Sequence, residues 1–391
     1  MIGEREAREQ ILEMVGVLDE RTVALANALD CFSAQNYFAR LPLPAFDNSA
    51  MDGYAVVASA CKKRAKLRVI GEQPAGPDRK LSIDGDEAIR IFTGAPLPRG
   101  ADAIVMQEDV RRDGSDIIVN VEVEAGDFVR RRGCDLTQGQ IILARGERIR
   151  PATIALLASQ GFPEVTVGGK ATAAIISTGD ELVKPGKELL AGQIYDSNSV
   201  LLSALLQRCG ANTKSVEHCR DNRESLTEAV KRGIKTNVLI VSGGVSVGEH
   251  DLVKEVLREV GAKIEIWRVA VKPGKPFLFG NLDGCFVFGL PGNPVSAFVT
   301  FLQFVRPAVL RMMGATNLDP RQVPAKLAAD VANDSDRPHY IRGKFRQGRF
   351  TPVGRQESHA IFGLTQANAL FRLGVGESRK TDEIVDIQIL D

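Results

Sequence analysis

The sequence has few of the features that mark secreted, membrane or zinc proteins. Its six cysteines include no C-x-x-C pair, so neither a disulfide framework nor a zinc site is indicated. The four histidines have no ligand spacing to one another, which argues against zinc as the main metal. No run approaches the roughly eighteen apolar residues of a membrane span, and the charged, amphipathic N-terminus does not resemble a signal peptide. We therefore expect a soluble, cytoplasmic protein with reduced thiols and no membrane contact.

An excess of one charge is also missing. The chain has 50 basic and 49 acidic residues, with a formal net charge of +1, which gives no electrostatic reason to expect nucleic acid as a partner. It has no internal repeat and no low-complexity tract. With 391 residues, 44% of them hydrophobic and 25% charged, it has the composition of a globular protein with two or more domains.

The apolar pattern divides the chain into three parts, at residues 1–150, 151–318 and 319–391. The first begins with a helix over 4–17 and a second over 20–30, and its later short strands predict mostly-β subdomains in two interleaved units. In the second, strands and helices alternate, which predicts a three-layer α/β/α domain with a mostly parallel sheet. The third part fits a small C-terminal β-barrel. The predicted fold class is therefore multidomain α/β plus β.

Residues 237–251 (NVLIVSGGVSVGEHD) combine a buried strand, a glycine loop and the start of a helix. Backbone N–H groups at a helix start have no partner within the helix, so this arrangement is a common anion site. The stretch lacks G-x-G-x-x-G spacing, and Glu249 and His250 stand where the Walker motif needs Lys and Ser or Thr. A plain tight turn is the structural alternative. The small residues of the loop are Ser242, Gly243, Gly244, Ser246 and Gly248.

Other loops of the second part also carry polar groups at strand ends, where ligands of parallel sheets bind. Residues 177–182 (STGDEL) end a buried strand with two carboxylates. Residues 272–276 (KPGKP) present two lysines on a loop that prolines stiffen, which suits phosphate or another oxyanion. Residues 291–294 (PGNP) begin a long apolar helix, where Pro294 is favourable on structural grounds alone. Carboxylates amid phosphate-binding loops are typical of Mg²⁺.

The first part contains three loops of similar character. Residues 47–54 (DNSAMDGY) hold two carboxylates, an amide and a hydroxyl, and residues 92–102 (FTGAPLPRGAD) form a rigid proline loop after a strand. Residues 133–139 (GCDLTQG) follow three adjacent arginines, which indicate either a solvated face or a receptor for a polyanion. Each loop is also compatible with a capped structural turn.

Taken in order, eight motifs closely resemble those of the molybdopterin molybdotransferase family, the MoeA-like proteins that include the E domain of gephyrin. The resemblance runs from the first helix to the last strand. The SGG and PGNP motifs alone would also suit the smaller molybdopterin adenylyltransferases, from which the N-terminal motifs and the C-terminal β unit separate this chain. The motifs are PAFDNSAMDGY, FTGAPLP, GCDL, STGDEL, YDSN, SGGVSVG, KPGKP and PGNP.

This resemblance implies an enzyme of molybdenum cofactor biosynthesis. Its substrates would be adenylylated molybdopterin and molybdate, its cofactor Mg²⁺ and its by-product AMP. The family's fold implies a homodimer whose site lies between the α/β domain of one protomer and the N- and C-terminal parts of the other. We also expect transient contacts with the molybdopterin adenylyltransferase and with the enzymes that receive the cofactor. The alternative is a non-catalytic molybdopterin-binding carrier or scaffold.

The resemblance also implies roles for individual residues. Glu181 and Asp251 are expected to hold Mg²⁺ against the pyrophosphate, and Lys272 and Lys275 to neutralise the charge that develops as the phosphoanhydride breaks. The family's candidate molybdate ligands match Arg342 and Ser358. The glycine loop from Ser242 to Gly248 is expected to bind the terminal pterin and phosphate groups together with Pro291, Gly292, Asn293 and Pro294. The positions tied to activity are Asp52, Thr93, Asp135, Glu181, Asp221, Asp251, Lys272, Lys275, Pro291 and Pro294.

The chain departs from the family at Glu357, where many relatives have glycine before Ser358 and His359. A carboxylate there repels MoO₄²⁻ unless Arg342 or Arg355 offsets its charge. This departure puts the molybdate role of Ser358 in question.

Overall fold

A computed structural model describes residues 1–244 and 252–390 of the chain. The predictions on Ser246, Gly248 and Asp251 lie outside the described residues.

The described chain alternates helices with many short strands. The helices are α1 (Glu4–Met14), α2 (Pro151–Ser159), α3 (Ser197–Cys209), α4 (Arg223–Gly233), α5 (Leu252–Glu259), α6 (Pro294–Thr300), α7 (Arg306–Met312) and α8 (Ile361–Gln366). A π-helical segment (Phe301–Val305) joins α6 to α7, and 3-10 turns cover Leu25–Asn27, Ala58–Ala60 and Gln107–Asp109. The strands are β1 (Ile2–Gly3), β2 (Arg21–Ala24), β3 (Tyr37–Phe38), β4 (Asn48–Ser49), β5 (Gly53–Val56), β6 (Lys66–Gln73), β7 (Glu87–Ile91), β8 (Ala103–Met106), β9 (Val110–Asp113), β10 (Asp116–Val119), β11 (Val129–Arg130), β12 (Ile141–Leu143), β13 (Glu164–Val167), β14 (Thr172–Thr178), β15 (Leu182–Val183), β16 (Ile194–Tyr195), β17 (Asn212–Cys219), β18 (Val238–Ser242), β19 (Lys263–Trp267), β20 (Val269–Ala270), β21 (Leu278–Leu282), β22 (Cys285–Leu290), β23 (Gln322–Leu327), β24 (Val331–Ala332), β25 (His339–Arg346), β26 (Arg349–Pro352), β27 (Ala369–Leu373), β28 (Ser378–Arg379) and β29 (Ile384–Ile389).

The chain divides into two compact units. The first comprises Met1–Gln35, Arg145–Pro151 and Glu164–Asp391, and the second comprises Asn36–Ala144 and Ala152–Pro163. This division into units does not test the predicted domain boundaries after residues 150 and 318, which stay a prediction.

The second unit is built mostly of strands, as predicted for the N-terminal region. A six-stranded mixed sheet has the order β8-β5-β7-β6-β10-β9, and the ribbons β4–β11 and β3–β12 extend the unit. Its core contains Tyr54, Val56, Leu67 and Ile117, all of which are buried.

The first unit is centred on a six-stranded sheet with the order β17-β14-β18-β22-β21-β19. The first four strands run parallel, and β21 is antiparallel to both of its neighbours. Successive side chains of a strand point to opposite faces. In β14, Ala173 and Ile175 accordingly pack in one buried cluster, and Ala174 and Ile176 pack in another. Both faces are therefore covered by helices, which is why the strands read as continuous apolar runs.

The helices cover the two faces in the way that the three-layer prediction requires. Leu202 and Leu206 of α3 pack in the first cluster with residues of α6 and α7. Val230 of α4 and Val256 and Leu257 of α5 pack in the second cluster. The predicted α/β/α layering and the mostly parallel sheet are therefore confirmed.

The C-terminal part closes into a barrel with the strand order β23-β26-β25-β27-β29, as predicted. Leu327, Ile341, Phe350 and Phe371 belong to its core. A Cβ placed on Gly343 would lie 2.1 Å from the Phe350 ring, so the absence of a side chain there makes room for the aromatic core.

The predicted helix over residues 20–30 is wrong. Residues Arg21–Ala24 form strand β2, which pairs antiparallel with β13, and a 3-10 turn follows at Leu25–Asn27. Thr22 and Val23 are β-branched and favour a strand when a partner strand is present. That partner comes from residues 164–167, which a local pattern cannot show.

One helical stretch of the described chain, Pro294–Met312, is long and apolar enough to cross a membrane by length and composition. However, 83% of it is buried inside the protein, which is the property of a core helix.

Candidate functional site

A pocket of about 460 Å³ lies at the carboxyl ends of β14, β18 and β22 and at the start of α3. The chain leaves β14 through α3 to β17 on one side, whereas β18 lies on the other side of β14. This is a topological switch point, where parallel sheets bind ligands. The predicted site residues that line the pocket are Glu181, Asp221, Ser242, Gly243, Gly244, Gly292, Asn293 and Pro294.

Gly243 and Gly244 follow β18 in the left-handed region, with φ angles of +92° and +63°. A Cβ on Gly243 would lie 2.4 Å from the carbonyl oxygen of Thr178, and one on Gly244 would lie 2.8 Å from a methyl group of Val253. No L-amino acid with a side chain fits these positions without displacing the backbone or the first turn of α5. The glycines therefore let two strand ends meet closely at the pocket.

Asn198 holds three segments of the pocket together, a role that the sequence did not reveal. Its side-chain nitrogen Nδ2 donates to the carbonyl oxygen of Gly292 at 2.7 Å and to the hydroxyl of Ser242 at 3.0 Å. Because a carbonyl only accepts, this contact fixes which end of the amide faces Gly292. The amide oxygen Oδ1 is buried and has no partner among the described residues.

Asp196 fixes the start of α3 against the end of β14. One carboxylate oxygen accepts from the N–H of Ser199 at 3.0 Å, and the other accepts from the Ser177 hydroxyl at 2.6 Å. The side chain is buried, so both bonds form away from water. The YDSN motif was the signal in the sequence for Asp196 and Asn198, but no role followed from it.

The other carboxylates of the pocket are exposed to it. The Thr178 hydroxyl donates to Asp221, whose own backbone N–H donates to Asp180 at 3.3 Å. Glu181 folds back towards Gly179, where a Cβ would lie 2.7 Å from a carboxylate oxygen. Within residues 1–244 and 252–390, no three His, Cys, Asp or Glu side chains are close enough together to hold a metal. Glu181 and Asp221 nevertheless offer the hard oxygen donors that Mg²⁺ takes together with water and phosphate.

A segment of the barrel forms one wall of the pocket. His359 and Ile361 line it, and the neighbouring Ser358 contacts the start of α6. The Asn293 side chain donates to the Ser358 hydroxyl at 2.9 Å, and the Val295 N–H donates to the Ser358 carbonyl oxygen at 3.1 Å. The Ser358 carbonyl therefore occupies one of the N–H groups at the start of α6. The Glu357 side chain is exposed and does not line this pocket.

Several predicted residues of the first unit do not line the pocket. Pro291 is buried behind it at the end of β22, and Lys272 and Lys275 are half-buried on their loop. The backbone of Lys272 pairs with the barrel, donating to Pro338 and accepting from Tyr340, both at 2.8 Å. Arg342 is fully buried and lies outside the pocket lining.

His339, the first residue of β25, lies opposite Lys272 in this pairing and is 8% exposed. Burial, together with the positive charges of Lys272 and Arg342, lowers the pKa of His339 to about 4. The imidazole is therefore neutral at physiological pH.

The second unit carries Asp52, Thr93 and Asp135. One oxygen of the Asp52 carboxylate accepts from both the backbone N–H and the hydroxyl of Thr93, each at 2.7 Å. These hydrogen bonds hold the pKa of Asp52 below its usual range, so the side chain stays charged. Asp135 is exposed on the loop before β12, where its N–H donates to the Leu43 carbonyl.

Three family models match consecutive parts of the chain. The MoeA N-terminal region (domain I and II) matches residues 3–161, a probable molybdopterin binding domain matches 174–311, and the MoeA C-terminal region (domain IV) matches 324–390.

Curated proteins and solved structures agree with these matches. Molybdopterin molybdenumtransferase of Haemophilus influenzae is 35% identical over 94% of this chain and 93% of its own length. The protein of the same name from Nostoc sp. is 36% identical over 86% of this chain and 81% of its own length. The structure of the molybdopterin biosynthesis MoeA protein from Pyrococcus horikoshii is 28% identical, covers 100% of both chains and has a TM-score of 0.84.

Proposed function

Since this chain belongs to the MoeA family of molybdopterin molybdenumtransferases, enzymes of molybdenum cofactor biosynthesis, we propose that it inserts molybdate into adenylylated molybdopterin and releases AMP. The observation that carries this proposal is the pocket at the switch point. There, Gly243 and Gly244, both with positive φ, line a cavity of about 460 Å³ together with Glu181 and Asp221. Backbone N–H groups suit phosphate oxygens, and carboxylates suit a cation that accompanies them.

Glu181 and Asp221 are the described residues that would hold Mg²⁺, because both are carboxylates that line the pocket. Asp251 is the further ligand that the resemblance implies. When bound, Mg²⁺ supplies positive charge to the phosphoanhydride. In this proposal, Gly243, Gly244 and Asn293 bind the phosphate end of the substrate. Lys272 and Lys275 supply positive charge where AMP departs.

We propose further that the protein acts as a homodimer, in which Asp52, Thr93 and Asp135 of one protomer serve the pocket of the other. The charged Asp52 would orient the attacking oxygen. The first unit has a groove of about 430 Å³ between α3, α7 and α8, lined by apolar and arginine side chains, which is our candidate surface for this interface.

Mixed dimers test this arrangement. Asp52→Asn and Glu181→Gln variants, each inactive alone, are unfolded together and refolded. If the site joins two protomers, statistical mixing restores one intact site in half of the dimers, or about a quarter of the wild-type activity. If both residues serve the pocket of their own chain, the mixture stays inactive.

The chemistry itself is tested by AMP release from adenylylated molybdopterin with Mg²⁺, with and without molybdate. We expect release that depends on molybdate and is lost in Glu181→Gln and Asp221→Asn. The matched control is Glu265→Gln, which changes an exposed carboxylate on the edge strand β19. Tight binding without AMP release would indicate a carrier or scaffold instead.

We also propose that the enzyme is cytoplasmic, and that it makes transient contacts with the adenylyltransferase that supplies its substrate and with enzymes that receive its product.

A further inference from the structure

The backbone and the side chain of Asp52 are both fixed within the second unit. The carboxylate accepts from the backbone N–H and from the hydroxyl of Thr93, each at 2.7 Å. The Asp52 carbonyl accepts from the N–H of Gln107 at 3.2 Å. The next residue, Gly53, begins β5, and a Cβ there would lie 2.0 Å from the Val105 carbonyl oxygen of the neighbouring strand β8. The backbone that carries Asp52 is therefore pressed against the sheet.

Arg90 contacts the residues that flank this aspartate and its threonine partner. It lies in β7, directly opposite Tyr54 of β5. Its guanidinium carbon lies 5.0 Å from the centre of the Tyr54 ring and 5.2 Å from the centre of the Phe92 ring. One guanidinium nitrogen, Nη1, reaches the Gly53 carbonyl oxygen at 3.5 Å, and the other, Nη2, donates to the side-chain oxygen of Gln107. A single half-buried side chain thus joins both flanks of the pair.

The charge and the shape of this side chain act together. The hydrogen bonds from Thr93 hold the pKa of Asp52 below its usual range, and the positive charge of Arg90 acts in the same direction. A guanidinium is planar and has several donors in fixed directions, so it can stack on aromatic rings and donate at its edge at the same time. An ammonium group is a point charge and cannot make the same set of contacts.

We infer that Arg90 is a positioning residue that fixes the direction in which the Asp52 carboxylate is presented to the substrate. The inference rests on the proposed function in that Asp52 orients the attacking oxygen. Arg90 acts through its contacts with Gly53, Phe92 and Gln107. Loss of these contacts should therefore slow turnover without weakening the binding of adenylylated molybdopterin.

The variants Arg90→Lys and Arg90→Gln separate charge from geometry. We expect both to lower the kcat of molybdate-dependent AMP release by about tenfold, while the KM for adenylylated molybdopterin changes by less than about twofold. The matched control is Arg68→Gln in β6 of the same sheet, which removes an exposed guanidinium that pairs with Glu87 at 2.8 Å. Its kcat should stay within about twofold of the wild-type value.

Three kinetic results would overturn the inference. The first is a wild-type kcat in Arg90→Lys, because charge alone would then suffice. The second is a rise of the KM at unchanged kcat in the Arg90 variants, which would indicate a binding role. The third is an equal loss of kcat in Arg68→Gln, which would indicate a general effect of charge on the sheet.

Measurements on the unliganded protein separate this inference from the proposed function. In carboxyl NMR titrations, Arg90→Gln should raise the pKa of Asp52 towards its usual range, whereas Arg90→Lys should leave it low. Both variants should speed hydrogen exchange at the N–H groups of Thr93 and Gln107, and unchanged exchange would contradict the inference. If the wild-type protein releases no AMP, the proposed function fails, while these results still decide whether Arg90 holds the Asp52 segment.

A further variant keeps the test decisive if the Arg90 variants do not fold. Gln107→Ala changes an exposed side chain and keeps the backbone N–H that donates to Asp52, but it removes the acceptor for Arg90. We expect a smaller fall of kcat than in the Arg90 variants, again at unchanged KM, and faster exchange at the Thr93 N–H. Wild-type kcat and wild-type exchange in Gln107→Ala would contradict the inference.

Discussion

Replacing Asn198 is the most direct test of how the pocket is assembled. Its Nδ2 donates to Gly292 and Ser242, which come from two different strand ends, while Asn198 itself lies in the first turn of α3. Asn198→Ala removes both hydrogen bonds and leaves the Gly292 carbonyl unpaired, whereas the Ser242 hydroxyl can rotate to another acceptor. The same change also removes the buried, unpartnered Oδ1.

The magnitude follows from these contacts. Two neutral hydrogen bonds contribute about 1 kcal/mol each, the unpaired Gly292 carbonyl costs about 1 kcal/mol more, and loss of the orphan oxygen returns about 1 kcal/mol. We therefore expect Asn198→Ala to destabilise the α/β domain by about 2 kcal/mol. Pterin affinity should fall by at least about tenfold, because the ligand must then order the three segments itself.

Asn198→Asp separates the orientation of the amide from its size. At neutral pH a carboxylate oxygen would replace Nδ2 and face the Gly292 carbonyl, so this variant should be several kcal/mol less stable than wild type and clearly less stable than Asn198→Ala. The site raises the pKa of the new carboxyl, since only its protonated form can donate to Gly292. Stability is therefore regained as the pH falls through that raised pKa, and the gain is complete below the unfolded value of about 3.9.

Thermal unfolding of the three proteins between pH 4 and pH 8 provides the measurement. The reasoning predicts the order wild type, Asn198→Ala, Asn198→Asp at pH 7, with the last two converging at acidic pH. If Asn198→Asp is as stable as Asn198→Ala at pH 7, the amide is oriented the other way and the argument from Gly292 is refuted.

Three further changes test other parts of the structure. The free energy of unfolding of the wild type should fall by about 2 kcal/mol between pH 7 and pH 5, because His339 stays neutral in the fold down to about pH 4 but gains a proton at about 6.5 when unfolded. Denaturant unfolding of His339→Gln should lack this loss, and the same pH dependence in both proteins would contradict the prediction. Gly243→Ala should be destabilised by about 2 kcal/mol or more, because its Cβ would meet a carbonyl of β14. The control is Gly192→Ala, where the glycine also has a positive φ but a Cβ would meet nothing within 4 Å. If calorimetry shows equal losses of stability in the two variants, the contact with β14 does not cause the effect. Thr93→Val should raise the pKa of Asp52 towards its usual range in carboxyl NMR titrations, and an unshifted pKa would show that the hydroxyl does not matter.

The sequence predicted those parts of the fold whose signals are local. Helix α3 (Ser197–Cys209) ends at a local signal in the sequence, because Gly210 adopts φ +90° directly after it. The apolar runs of β14 and β18 predicted strands buried on both faces, and the small residues after β18 predicted a close backbone approach. These features depend on neighbours within one turn or one strand.

Other features depend on partners far along the chain. Strand β2 exists because residues 164–167 pair with it, and the role of Asn198 depends on Gly292, which is 94 positions away. The prediction of Arg342 as a molybdate ligand followed from the family resemblance and stays a prediction. The burial of Arg342 beneath carbonyls of residues 355–360 is a property of the closed barrel, and no spacing of residues reveals it.

The attachment of the barrel to the pocket has a thermodynamic consequence. Residues 353–360 belong to the barrel, yet Ser358 and His359 contribute to the pocket of the α/β layer. A ligand that binds only when this segment is in place must stabilise the segment by RT ln(1 + [L]/Kd), or about 2.7 kcal/mol at a hundredfold excess over Kd. Conversely, a change that lowers the population of the ordered segment must lower the apparent affinity of that ligand in proportion. Under the proposed function, the barrel therefore contributes to substrate affinity through the position of this segment.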